Sequence, residues 1–95
     1  MLGTWESESL GRINIVRDGE NGIRGTYSKN NGSFNLNKLG TGAWKDDTGS
    51  GEITIRMDAG ENEILVRWKR AAGTGQKNFV FERARCVKAQ GGGNN

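Results

Sequence analysis

The chain contains no histidine, no proline and a single cysteine, Cys86. Each scarcity removes a class of chemistry. Without an imidazole there is no His base, so triads and dyads built on one are excluded. One Cys forms no internal disulfide and, with no His beside it, no Cys/His zinc site. No apolar run approaches the ~18 residues of a membrane span, and no basic-then-apolar leader precedes a cleavage site. The expectation is a chain outside the membrane, and a cytoplasmic one if Met1 is the native start. Large aliphatic residues are few as well: Leu, Ile, Val and Phe total 18 of 95 residues, just under the ~20% level at which disorder becomes a question.

What the sequence does have is glycine, 16 residues, and charge, 26% of the chain with a net of +3. That net charge is too small to hold the chain open, and the apolar residues are periodic rather than scattered. A folded domain with a thin core follows, in which three Trp, one Tyr and three Phe supply much of the burial. The length suits one domain, placed at residues 1–88, with residues 89–95 as a polar Gly/Asn tail. The basic charge is uneven. Residues 67–88 carry Arg67, Lys69, Arg70, Lys77, Arg83, Arg85 and Lys88 against Glu82 alone. These charges either form a basic face or pair with the acidic remainder, and pairing is the simpler expectation.

Short alternating segments run the length of the chain. Ile13 and Ile15 share a face, Ile23 to Tyr27 alternates, and Phe34 and Leu36 share another face. Ile53, Ile55 and Met57 alternate with polar residues, as do Ile64, Val66 and Trp68. Leu39 to Trp44 reads as a new strand or as the far end of the one holding Phe34 and Leu36, Asp46 to Gly51 and Ala71 to Gln76 as loops, and Asp58-Ala59-Gly60 as a turn. Asn30-Asn31-Gly32 is the strongest hairpin signal, because Asn and Gly accept the positive φ such turns require. This pattern predicts an all-β fold: a small antiparallel up-and-down meander of seven or eight strands, closed into a barrel that hides its edges. The inward set includes Leu39, Phe79 and Phe81, and a filled barrel is favoured over a hollow one. A monomer is expected, with a dimer as the alternative.

Leu2-Gly3-Thr4-Trp5, Leu10-Gly11 and Gly25-Thr26-Tyr27 resemble the opening of avidin-like proteins. Gly-x-Trp near the start with Arg near the end of the last strand more broadly resembles the calycin barrels: lipocalins, fatty-acid-binding proteins and avidins. The resemblance implies a lipocalin-like or avidin-like barrel whose end is closed by an Arg packed across the first-strand Trp. Here that pair would be Trp5 with Arg83, or with Arg85. It also implies a ligand site, with Tyr27 and Ser7 at matching positions. The sequence departs from the avidin pattern at Arg12, where those proteins carry a hydroxyl, and in the second half, where Trp68 alone matches an aromatic position. Biotin binding is not carried over.

Other motifs have simpler explanations. Asp47-Thr48-Gly49-Ser50 matches the aspartic-protease signature, but Lys45 and Asp46 precede it where an apolar strand must desolvate a catalytic dyad. An ordinary hairpin loop explains it, and its acidic spacing misses the calcium-loop pattern. Asn31-Gly32-Ser33 fits a glycosylation acceptor, and the turn accounts for the same residues. Cys86 reads as a small half-buried apolar residue. No metal site, cofactor site or catalytic pair is expected, and an enzyme is the least favoured class. The leading reading is a non-enzymatic binding module for a small, partly apolar molecule, with Tyr27, Trp44, Trp68 and Ser7 as its contacts. A protein-interaction or self-associating barrel is the alternative. A nucleic-acid or anion partner at the C-terminal basic strands ranks third, and nucleic acid is not expected, because the segment lacks the exposed aromatic interleaving of single-strand binders.

Overall fold

In a computed structural model, which describes residues 2–58, 60, 62–71 and 78–87, eight antiparallel strands close into one barrel. The strands are β1 (Gly3–Ser7), β2 (Gly11–Asp18), β3 (Gly22–Tyr27), β4 (Gly32–Leu36), β5 (Thr41–Asp46), β6 (Gly49–Met57), β7 (Glu63–Arg70) and β8 (Val80–Cys86). Each pairs with the next, and β1 pairs with β8 through Trp5 opposite Cys86 and Glu6 opposite Arg85. A further bond from the Val87 N–H to the Thr4 carbonyl (2.9 Å) fastens that seam. Residues 72–76 of the expected last loop, the central residue of the Asp58-Ala59-Gly60 turn and the C-terminal tail lie outside the described residues.

Alternation along each strand sends one set of side chains inward. Trp5, Ile13, Ile15, Tyr27, Phe34, Leu36, Trp44, Ile53, Ile55, Ile64, Val66 and Ala84 form one buried cluster. The glycine content explains how so narrow a barrel holds so many rings. Phe34 lies directly opposite Gly25, and Tyr27 opposite Gly32. A Cβ on either glycine would overlap the facing ring. Each missing side chain is therefore space that an aromatic from the neighbouring strand occupies. The Tyr27 and Phe34 rings in turn stack at 6.4 Å between centroids, 20° apart in plane.

Turn chemistry follows the local sequence. Asn30 and Asn31 take the positive φ values expected of them, 54° and 55°, within a 3-10 turn at Lys29–Asn31. The expected loop from Asp46 to Gly51 is much tighter: Asp46 pairs with Gly49, so only Asp47 and Thr48 form the turn. The Asp46 carboxylate makes this possible, because its Oδ1 accepts from both the Thr48 N–H (2.7 Å) and the Thr48 hydroxyl (2.6 Å). Such a local carboxylate-to-backbone bond substitutes for a backbone turn.

Several expectations are corrected. Leu39 is 78% exposed and lies in the turn before β5, not on a strand. Cys86 is exposed, because β8 ends there. The last strand also runs in the opposite face sense to the one expected. With Trp5 buried and Cys86 opposite it, the inward set on β8 is Val80, Glu82 and Ala84, and Phe81 is 59% exposed. Arg83 is consequently outside, its Nη1 3.2 Å from Glu63 Oε1. Arg85 lies opposite Glu6 on the same outer face. The expected closing pair of Trp5 with Arg83 or Arg85 does not form, since pleat parity sets Trp5 and these guanidiniums on opposite sides of the sheet.

Candidate functional site

The turns β1–β2, β3–β4 and β5–β6 meet at one end of the barrel and are laced together. The Lys29 N–H donates to the Leu10 carbonyl (3.1 Å), and the Asp47 N–H to the Asn30 carbonyl (2.9 Å). Asn31 Nδ2 donates to Asp47 Oδ2 at 2.7 Å. This fixed rim surrounds a recess of about 70 Å³, whose lining includes Leu10, Tyr27, Trp44, Asp46, Trp68 and Arg70. A water's share of liquid volume is ~30 Å³, so the recess holds about two waters or the tip of a larger molecule.

Three of the four expected contacts therefore come together: Tyr27 from β3, Trp44 from β5 and Trp68 from β7. Ser7 does not join them. Its Oγ accepts from the Ser9 and Leu10 N–H groups, each at 3.2 Å, and holds the β1–β2 turn.

Trp44 and Trp68 meet edge to face, with centroids 5.4 Å apart and planes at 79°, a geometry favoured by the ring quadrupoles. Trp44 Nε1 donates to the Lys69 carbonyl at 3.1 Å, which Gly51 permits, since a side chain there would collide with that carbonyl. Trp68 is different: its Nε1 is buried and has no hydrogen-bond partner among the described residues.

Arg70 is the residue that motif reasoning missed, because it reads as one of several charges in a basic segment. Its signal is parity: Trp68 points inward, so Arg70 two residues on does too. Its guanidinium carbon sits 5.4 Å from the Trp44 ring and 5.8 Å from the Trp68 ring. Its nitrogens donate to the Thr48 carbonyl and the Thr48 hydroxyl, both at 3.2 Å. An arginine thus does cap tryptophans at a barrel end, but on β7 over Trp44 and Trp68.

Electrostatics at the rim are set by one shared proton contact. The Tyr27 hydroxyl donates to Asp46 Oδ2 at 3.0 Å. Burial, that hydrogen bond and the nearby carboxylate charge push the Tyr27 phenol well above its usual value, against a smaller opposing pull from Arg70. For Asp46 partial burial acts to raise the carboxyl. It is outweighed by the bonds from Thr48 and Tyr27 and by the charge of Arg70, so the net shift is downward. At neutral pH the pair is a neutral phenol against an ionised carboxylate. Comparison of the chain with protein-family models, with curated proteins and with solved structures finds no match.

Proposed function

We propose that the protein is a non-enzymatic binding module whose barrel mouth receives the tip of a small, partly apolar molecule carrying a carbonyl or carboxylate oxygen. The observation that carries this reading is the rim recess itself, walled by Tyr27, Trp44 and Trp68 with the Arg70 guanidinium beside both indoles. A hydrogen bond to a charged group contributes about 1.5–3 kcal/mol, and a ligand oxygen at the recess can make one to Arg70. Aromatic walls with a few polar groups are what small-ligand sites are made of, and Arg70 adds positive charge at the entrance. The calycin resemblance supports the reading through architecture, a closed eight-stranded meander, and not through a Trp5–arginine contact. Catalysis is disfavoured by the same geometry: a phenol driven upward and a carboxyl driven downward both sit far from the near-neutral values that proton transfer requires.

Intrinsic tryptophan fluorescence tests this with benzoate, cyclohexanecarboxylate and uncharged cyclohexanol as probes. A saturable change with the two carboxylates is expected, weaker with cyclohexanol. Arg70→Gln, which removes the positive charge from the recess, should weaken carboxylate binding by about tenfold, about 1.4 kcal/mol. No saturable change with any probe, or an unaltered carboxylate affinity in Arg70→Gln, would refute the reading.

A further inference from the structure

Phe81 points outward, 59% exposed, and the Phe79 ring lies against the Arg67 guanidinium. On the outer face of β6–β8, strand pairing sets Phe81 directly opposite Arg67, with Thr54 opposite Arg67 in turn. The next row reads Arg56, Leu65, Arg83. Between these rows lies a shallow cleft of about 320 Å³, lined by Thr41, Thr54, Arg56, Leu65, Arg67 and Phe81. Its lining carries two guanidiniums, two hydroxyls and an exposed aromatic ring, and no carboxylate. Alongside, the Arg67 guanidinium lies 4.0 Å from the Phe79 ring centroid and the Lys69 ammonium 5.5 Å.

From this arrangement we infer that the outer face around Phe81 binds single-stranded nucleic acid, with a base stacked on Phe81 and phosphates on Arg56, Arg67 and Lys69. An exposed ring among cations is the pairing such chains require, because every base has a π-face and every nucleotide a phosphate. A purely apolar partner covering Phe81 would strip water from Arg56 and Arg67 without replacing it, which is costly. A duplex keeps its base faces stacked internally and cannot use the ring. The surface also sets a limit on one side. Past Leu65, Glu63 holds Arg83, and Glu8 lines the neighbouring groove beside Arg85, whereas the cleft of Arg56 and Arg67 has no carboxylate in its lining, so a polyanion is drawn to that cleft. This inference does not depend on the barrel mouth, which lies on the inner side of the sheet.

Fluorescence anisotropy of a labelled oligothymidylate of about twelve nucleotides, within the usual site sizes, tests it at low and physiological salt. Saturable binding is expected, with a log affinity against log salt slope of about −2 for three phosphate contacts on a single strand. Phe81→Ala should lower affinity about tenfold with the slope unchanged, whereas Arg67→Gln should lower it and flatten the slope by about 0.7. Both side chains are exposed, and circular dichroism melts check that the variants remain folded. The inference is overturned by no binding at low salt, by a matched duplex binding as tightly, or by Phe81→Ala binding as well as the wild type. It is overturned equally if light scattering shows a dimer that Phe81→Ala dissolves while no oligonucleotide binds, since the face then belongs to a second copy.

Discussion

Replacing Gly32 by alanine sets a methyl group where the Tyr27 ring lies. The backbone at Gly32, φ −77° and ψ 154°, is ordinary extended chain, so alanine meets no conformational obstacle. Its smaller unfolded-state entropy would alone stabilise the fold by about 0.4–1 kcal/mol. Overpacking acts the other way, at about 1–3 kcal/mol. The clash is with a ring that stacks on Phe34 and is held at its tip by Asp46, so overpacking should win. A net loss of about 1–2 kcal/mol corresponds to a melting temperature lower by about 5–15 °C in a domain of this size. Gly60→Ala is the control: among the described residues its Cβ would meet only Asn62 Nδ2, at an ordinary 3.7 Å, and it should melt no lower than the wild type. Because the two effects share one ring, Gly32→Ala should cost less in a Tyr27→Ala background, a coupling that a double-mutant cycle reads directly. A Gly32→Ala protein melting within about 2 °C of the wild type would refute the claim that glycines make the room for these rings.

Tyr27 is the only tyrosine, so an alkaline absorbance titration reports it alone. The folded protein should show no tyrosinate near the ordinary pKa of about 10; a normal titration there would contradict the buried Tyr27–Asp46 contact. By linkage, the raised phenol stabilises the fold below its unfolded pKa and loses that stabilisation as pH rises toward the folded one, so Tyr27→Phe should be less sensitive to alkali. Asp46 has the opposite sign. Its lowered carboxyl stabilises the fold above the unfolded value of about 3.9, and the gap between wild type and Asp46→Asn in urea unfolding should close as pH falls below that. Arg83→Ala should change stability by no more than about 0.5 kcal/mol, because it removes one exposed ion pair, whereas a large loss would return Arg83 to the barrel interior. Cys86 should react with a maleimide in the folded protein at the rate of an exposed thiol; protection until denaturant is added would contradict its exposure.

The strands that alternate cleanly were legible in the sequence. Ile13 with Ile15, Ile53 with Ile55 and Ile64 with Val66 present no choice of face, and the Asn-Asn-Gly turn presents no choice of conformation. The last strand does present one. Phe79 and Phe81 compete with Val80 and Ala84 for the inside, and size alone selects the phenylalanines. Pairing selects against them: Cys86 lies opposite the buried Trp5 and Ala84 opposite the buried Ile64, so Val80 and Ala84 take the inside and Phe81 the outside. Residue type cannot report that register. The same limit hid Arg70, since a cation at an inward position is recognisable only once the strand is known to end there, at the rim. Tyr27, Trp44 and Trp68, singled out as aromatics fit to wall a small-ligand pocket, do line one recess.

The seam between β1 and β8 bears on how this protein assembles. Its registered pairs, Trp5 with Cys86 and Glu6 with Arg85, join residues about eighty positions apart, whereas every other pairing joins neighbours in sequence. Loop closure must be met before such a distant contact gives anything back. The order of events follows: hairpins form first, the meander grows, and the barrel shuts last. Shutting last also means opening first, so amide exchange at Cys86 and Val87 should outpace that in the β6–β7 hairpin. Each opening bares the edges of β1 and β8 together, two complementary strands of one chain. In a concentrated solution those edges are as well matched to another molecule as to each other, and strand exchange through this seam is the route by which the protein would form swapped dimers.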